Sequence, residues 1–111
     1  MFTHEAIENG EIIALQGQIN SGNAAEAENE LAATLDRGVS RLILDCSQLS
    51  YISSAGLRVI LILAKRSRAS AAKLVLFGMQ PSVREVFAIS GFLAILQVVE
   101  SREEALELAL A

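Results

Sequence analysis

Two adjacent serines, Ser53 and Ser54, stand where a polar stretch gives way to a long apolar segment. Before them the run Arg41-Leu42-Ile43-Leu44 ends in Asp45, and after them Ala55-Gly56-Leu57 leads into Val59–Ala64. The pattern reads as a buried strand, a loop and the first turn of a helix. A helix N-terminus has free N–H groups and a partial positive charge, so it favours an oxygen anion placed there. A serine hydroxyl at that spot does one of two jobs. It caps the helix, or it accepts a phosphate whose charge the helix end stabilises.

Other side chains capable of chemistry find no companions. His4 is the only histidine and reads as an exposed residue near the start of an edge strand, without the partners a metal site needs. Cys46 is the only cysteine; it cannot form an internal disulfide and reads as a small core residue. Gly78-Met79-Gln80-Pro81 is a turn into a helix rather than a phosphate-binding loop. The serine pair lacks the glycine two positions upstream that a nucleophile elbow uses, and no histidine is placed to activate it. The chain is therefore not expected to be an enzyme, and no cofactor or metal is expected. Asp45 follows a strand, where a carboxylate either braces the acceptor loop through backbone N–H groups or takes part in recognition.

The elements that must position the serines alternate along the chain. Strands are expected over Phe2–Glu8 and Glu11–Ile19, joined by a tight turn at Asn9-Gly10. Ser21–Asp36 reads as a helix, Leu42–Asp45 as a short buried strand, and Ser54–Arg68 as a second helix by the helical spacing of Leu57, Ile60, Leu61 and Ala64. Lys73–Gly78 is a strand, and Pro81 opens a helix that Gly91 closes. Ile95–Val99 is the last strand, and Ser101 with Glu104 forms a capping box for a final helix to Leu110. An initial hairpin followed by alternation implies a mixed, mostly parallel sheet of about five strands with about four helices packed on it. On the second helix, a turn of about 100° per residue groups Leu57, Ile60, Leu61, Leu63 and Ala64 on a buried arc. Ile62 falls on the other side between Arg58 and Arg66, with Lys65 close by, one turn beyond Ser54. Arg58, Ile62, Lys65 and Arg66 are the candidate partner-binding residues. Glu26, Glu28 and Glu30 read as a solvated helix face.

Composition narrows the class. A chain of 111 residues with 52% apolar and 20% charged residues fits one α/β domain spanning 1–111. A formal charge of −4 argues against a nucleic-acid groove binder. The longest strictly apolar run, Val59–Ala64, is too short to span a bilayer, and the N-terminus lacks a signal-peptide pattern, so no membrane insertion and a cytoplasmic location are expected.

The segment Asp45–Leu57 resembles the signature of STAS-domain anti-sigma-factor antagonists, and the likeness extends over nearly the whole chain, from a Gly-Gln-Ile-Asn turn at Gly17–Asn20 to the closing strand and helix. The family pattern is Asp-Ser-Ser/Thr-Gly-Leu, with the first serine phosphorylated by a kinase that doubles as an anti-sigma factor. Laid on this chain, Ser53 takes the place of the acid, Ser54 that of the phosphoacceptor and Ala55 that of the next small residue, while Gly56 and Leu57 match directly. Ser53 is one departure from the pattern. Asn20 is another, where many relatives carry an aspartate. The resemblance implies a STAS-like fold in which Asp45, Ser53, Gly56 and Asn20 support the acceptor loop. It implies as partners a serine kinase anti-sigma factor, which would supply the ATP and magnesium, and a PP2C-type phosphatase. Two alternatives share the fold: a structural subunit of a larger complex such as a lipid-transport assembly, and a module sensing a small ligand or nucleotide.

Overall fold

The computed structural model describes residues 1–111. Five strands lie in one sheet in chain order, β1 (Phe2–Ile7), β2 (Gly10–Ile19), β3 (Arg41–Ile52), β4 (Lys73–Phe77) and β5 (Gln97–Val99). β1 pairs antiparallel with β2, and every later neighbour is parallel. Helices α1 (Ala24–Asp36), α2 (Ser54–Ala69), α3 (Pro81–Ile89) and α4 (Arg102–Leu110) make the connections and the last element, with a 3-10 turn at Phe92–Ala94 ahead of β5. The mixed α/β architecture expected from the pattern is the one found.

Alternation along the strands divides the apolar side chains between two cores. The larger joins Ile13, Leu15, Leu42 and Leu44 to α1 through Leu31, to α2 through Ile60 and Leu63, and to α3 through Val83 and Phe87. On the opposite face Ile12, Ile43, Val75 and Phe77 meet only α4, through Ala105 and Ala109. Three helices therefore cover one face, and the acceptor segment belongs to that face.

Several boundaries differ from the sequence expectation, each for a physical reason. β3 does not stop at Asp45 but continues to Ile52. Between Ala14 and Gln16 the β2 chain advances two residues while β3 advances three, from Asp45 to Gln48; from Gly17 to Gln18 it advances one against two, from Leu49 to Tyr51. These two bulges change the spacing of the buried residues Leu42, Leu44, Cys46, Leu49 and Ile52 from two to three, which hides the strand from a period-two reading. Asp45 accordingly sits within the sheet, opposite Ala14 and Phe77, and not on the loop before α2. The hairpin turn is Glu8-Asn9, because Ile7 and Gly10 close it as a pair. Gly10 is required by packing: a Cβ there would lie 2.1 Å from the Arg41 carbonyl oxygen. Gly17–Ile19 is strand rather than turn, α1 begins at Ala24 rather than Ser21, and β5 begins at Gln97 after the 3-10 turn.

Candidate functional site

The carboxyl ends of β2 and β3 lead into α1 and α2, and one hydrogen bond ties these connections together. The Ser53 amide donates to the Ile19 carbonyl at 2.9 Å. On the β2 side the Asn20 side chain accepts from the Gly22 amide at 2.9 Å, and the Asn23 side chain accepts from the Asn20 amide at 2.9 Å. These local bonds set the turn from which α1 starts. The structure thus brings Asn20 and Ser53 into one neighbourhood although 33 positions separate them.

The two serines divide the jobs that the sequence left open. Ser53 has extended backbone and is the N-cap, its Oγ accepting from the Gly56 amide at 3.2 Å. Ser54 is the first residue of α2; it is exposed, and its hydroxyl makes no hydrogen bond in the chain. First-turn amides of a helix have no intrahelical acceptor, so Ser54 stands where a phosphate would be electrostatically favoured. Gly56 allows the close approach beneath: a Cβ would fall 2.6 Å from Ile52 Cγ1, 2.9 Å from Ile19 Cγ2 and 3.0 Å from the Ile19 carbonyl oxygen.

Asp45 does not join this neighbourhood. Its carboxylate accepts from the Ser47 amide at 2.9 Å, bracing the first bulge of β3. The seven residues on to Ile52 place it roughly 20 Å along the strand from the helix start. The bracing expected of it is present, but at a different place from the acceptor turn. Beside it Cys46 is 1% exposed. Desolvation, helped by the nearby Asp45 charge, pushes its thiol up to about 12, so it remains a protonated core residue at neutral pH.

Ser54 overlooks a groove of about 560 Å³ between α1 and α2, where Ser21, Ala24 and Glu28 face Ala55, Arg58 and Ile62. Arg58 and Lys65 are exposed and form no ion pair or hydrogen bond, whereas Arg66 donates to Asp36 at 2.7 Å and fastens the far ends of the two helices. Ile62 is half-buried in this seam rather than exposed among cations, because α1 packs along that side of α2. Val59 is buried and Leu61 only partly so, which rotates the inward arc of α2 toward α1 relative to the wheel drawn from sequence.

The β1 and α1 edges meet at a second polar cluster. His4 Nδ1 lies 2.8 Å from a Glu11 carboxylate oxygen and Nε2 lies 2.9 Å from one of Glu30, while Arg37 pairs with Glu11. The hydrogen bonds to Glu30 and then Glu11 hold the imidazole above its ordinary value of 6.5 against opposing desolvation. Glu11 is desolvated, yet bonds from Arg37 and His4 keep its carboxyl below the usual carboxylate value. Neither the half-buried Glu28 nor the bound Glu30 is the freely solvated acid that composition suggested. Their signal was the register of α1: Glu28 is three residues before the buried Leu31 and seven before the buried Leu35, at the margin of the inward face.

Residues 3–105 match the family model described as the STAS domain. The chain belongs to the STAS domain family. It is 52% identical over 103 residues to BtrV of Bordetella bronchiseptica, a protein assigned as an anti-sigma factor antagonist, covering 93% of this chain and 89% of BtrV. The fold superposes on that of an anti-sigma factor antagonist of Thermotoga maritima with a TM-score of 0.93 at 21% identity, covering 99% of this chain and 95% of that one. Bacillus SpoIIAA is similar in its unphosphorylated form, with a TM-score of 0.81 at 23% identity and coverage of 96% and 94%. In its phosphorylated form the score is 0.73 at 22% identity, with coverage of 96% and 97%. These structural likenesses are of fold. Within this STAS domain, no helix is long and apolar enough to cross a membrane.

Proposed function

We propose that this STAS domain is a phosphorylation-controlled binding switch acting as an anti-sigma factor antagonist. In the unmodified form it binds a serine kinase anti-sigma factor and so frees the sigma factor; phosphorylation of Ser54 ends that binding, and a PP2C-type phosphatase restores it. The chain acts in the cytoplasm and carries no catalytic groups of its own, so ATP and magnesium come with the kinase. Asn20, Ser53 and Gly56 hold the acceptor turn, and Arg58, Ile62, Lys65 and Arg66 contribute to the partner-facing side of α2.

The observation that carries this reading is the division of labour at the α2 start. Ser53 takes the cap, so Ser54 is free to be modified without loss of the helix terminus. A phosphate there adds roughly −1.5 to −2 charges and a tetrahedral group to the surface a partner would cover. Arg58, one helical turn further on the same face, lies within reach as a counter-charge. The test is treatment of the purified chain with its kinase and ATP followed by peptide mass spectrometry. One phosphate on Ser54 is the expected result; modification confined to Ser53 or Ser50 would overturn the assignment.

A further inference from the structure

A second cleft opens at the far end of α2, because the edge strand beside it is short. β5 pairs only with Val75–Phe77 of β4, and Gly91, at a φ of 80°, turns the chain into the 3-10 segment Phe92–Ala94 before Gln97 joins the sheet. The first residues of β4, Lys73 and Leu74, therefore have no strand neighbour on that side. Between them, the last turns of α2 and Ile95–Gln97 lies a cavity of about 290 Å³. Ala64, Ala72 and Leu74 form buried walls, Leu96 is half-buried, and Ile95 leaves aliphatic surface uncovered at 47% exposure.

The charge lining this cleft has one sign. Arg68 Nη2 donates to the Ile95 carbonyl at 3.1 Å, which fixes the guanidinium against the wall while leaving its charge uncompensated and most of its donors free. Lys73 also lines the cleft, but its ammonium is drawn to the other face of the sheet, where it donates to the Leu108 and Ala111 carbonyls at 3.0 and 2.8 Å. No carboxylate is present in the lining. Every other cavity of the surface contains at least one: Glu28 beside Arg58 and Arg66, Glu11 and Glu30 beside Arg37, and Glu104 with Glu107 on α4. In a chain of net charge −4, this is the concave site where an anion meets no repulsion from the walls.

We propose that this cleft binds a small amphipathic anion, a carboxylate with a short aliphatic body, whose head pairs with Arg68 and whose body lies over Ala72, Leu74 and Leu96. A planar guanidinium matches a carboxylate through two parallel hydrogen bonds, and the Ile95 carbonyl already holds it in place. The apolar walls gain by losing water to the aliphatic body. The volume restricts the ligand to the lower end of the range for small-molecule sites, about 300–1,000 Å³. Arg68 stands fourteen residues beyond Ser54 on α2, roughly 20 Å along the helix, so the cleft is separate from the acceptor turn. The inference is accordingly independent of the antagonist reading.

The experiment titrates octanoate, octanol and acetate into the isotope-labelled chain and follows the backbone amide resonances, for the wild type, Arg68→Gln and Arg84→Gln, with a thermal melt of each variant. Arg84 is exposed on α3 and lies outside the cleft, so it controls for the loss of one surface cation. Octanoate is expected to saturate, with shifts centred on Ala64–Leu74 and Ile95–Gln97. Its affinity should fall ~10-fold in Arg68→Gln and less than ~2-fold in Arg84→Gln, and octanol and acetate should each bind at least ~10-fold more weakly than octanoate. The comparison of the three probes uses the wild type alone, so it stands whatever the melts of the variants show. No saturation by octanoate, shifts centred on Ser54–Arg58, or equal losses in the two variants overturns the site. Octanol binding as tightly as octanoate overturns the anionic class of ligand, and acetate doing so overturns the aliphatic one.

Discussion

Two polar clusters border α1, and they treat charge in opposite ways. At the β1 edge, His4, Glu11, Glu30 and Arg37 are joined to one another. At the groove, Glu28 and Arg58 make no hydrogen bond or ion pair within the chain. The first cluster connects a hairpin edge to a helix and is complete in the isolated molecule. The second surrounds a hydroxyl that is equally free. Paired charges tie elements of the fold together, whereas unpaired surface charges are left to solvent or to another molecule. The contrast also explains why α1 carries three acids in alternate positions with three different environments. Glu26 is exposed, Glu28 borders the groove and Glu30 turns to the sheet edge.

The largest effect should come from charge at the unfinished cluster. Ser54→Asp is expected to lower affinity for the kinase ~100-fold, about 2.7 kcal/mol, with the melting temperature preserved. An acid in the first helical turn agrees with the dipole, so the fold loses nothing by it. Equal kinase affinities for wild type, Ser54→Asp and the phosphorylated chain would place Ser54 outside the interface and remove the contrast between the clusters.

Stability, not affinity, should respond next, at the glycine beneath the acceptor turn. Gly56→Ala forces a methyl against Ile52, Ile19 and the Ile19 carbonyl oxygen, so α2 must shift. A cost of about 2 kcal/mol is expected, seen as a lower melting temperature and denaturation midpoint. An unchanged melt would mean that the first turn of α2 moves without resistance, and the groove could then not be a preformed surface.

Much of this was legible in the chain. Helical spacing marked α2, Pro81 and Gly91 bracketed α3, and the serine pair marked the start of α2. The assignment of single residues within that frame was not legible, because it depends on long-range contacts. The extent of β3 was masked by two bulges, and with it the distance of Asp45 from the acceptor turn. Ile62 appeared solvent-facing because a wheel drawn for one helix takes no account of the second helix packed against its flank. Which serine caps was likewise undecided until the Gly56 amide was seen to reach Ser53. That last point yields a sharp pair of variants. Ser53→Ala should lose about 1 kcal/mol of stability, whereas Ser54→Ala should stay within about 0.5 kcal/mol and bind the kinase while resisting inactivation. Equal destabilisation by the two variants would show that both hydroxyls serve the helix end.

The smallest effect should appear at the finished cluster, and its signature is pH. Both imidazole nitrogens of His4 face carboxylates, and only the imidazolium can donate to both. Its folded value is raised above 6.5, first by Glu30 and then by Glu11, so its contribution is fully present below 6.5 and is lost as pH rises through the folded value. Glu11 moves the other way: its contribution is present above 4.5 and is lost as pH falls through the lowered folded value. The clasp should therefore be strongest between about pH 4.5 and 6.5. Exposed ion pairs contribute about 0.2–1 kcal/mol, so the signal is a difference between two melting curves rather than a collapse. Thermal melts of the wild type and His4→Gln should diverge most near pH 5.5 and converge once the pH has risen through the raised folded value. Kinase affinity near pH 7 should be the same for both, because the imidazole lies outside the groove beside Ser54. A stability difference that stays constant with pH would assign His4 a packing role. A loss of kinase binding in His4→Gln would join the two clusters into one device and remove the distinction between them.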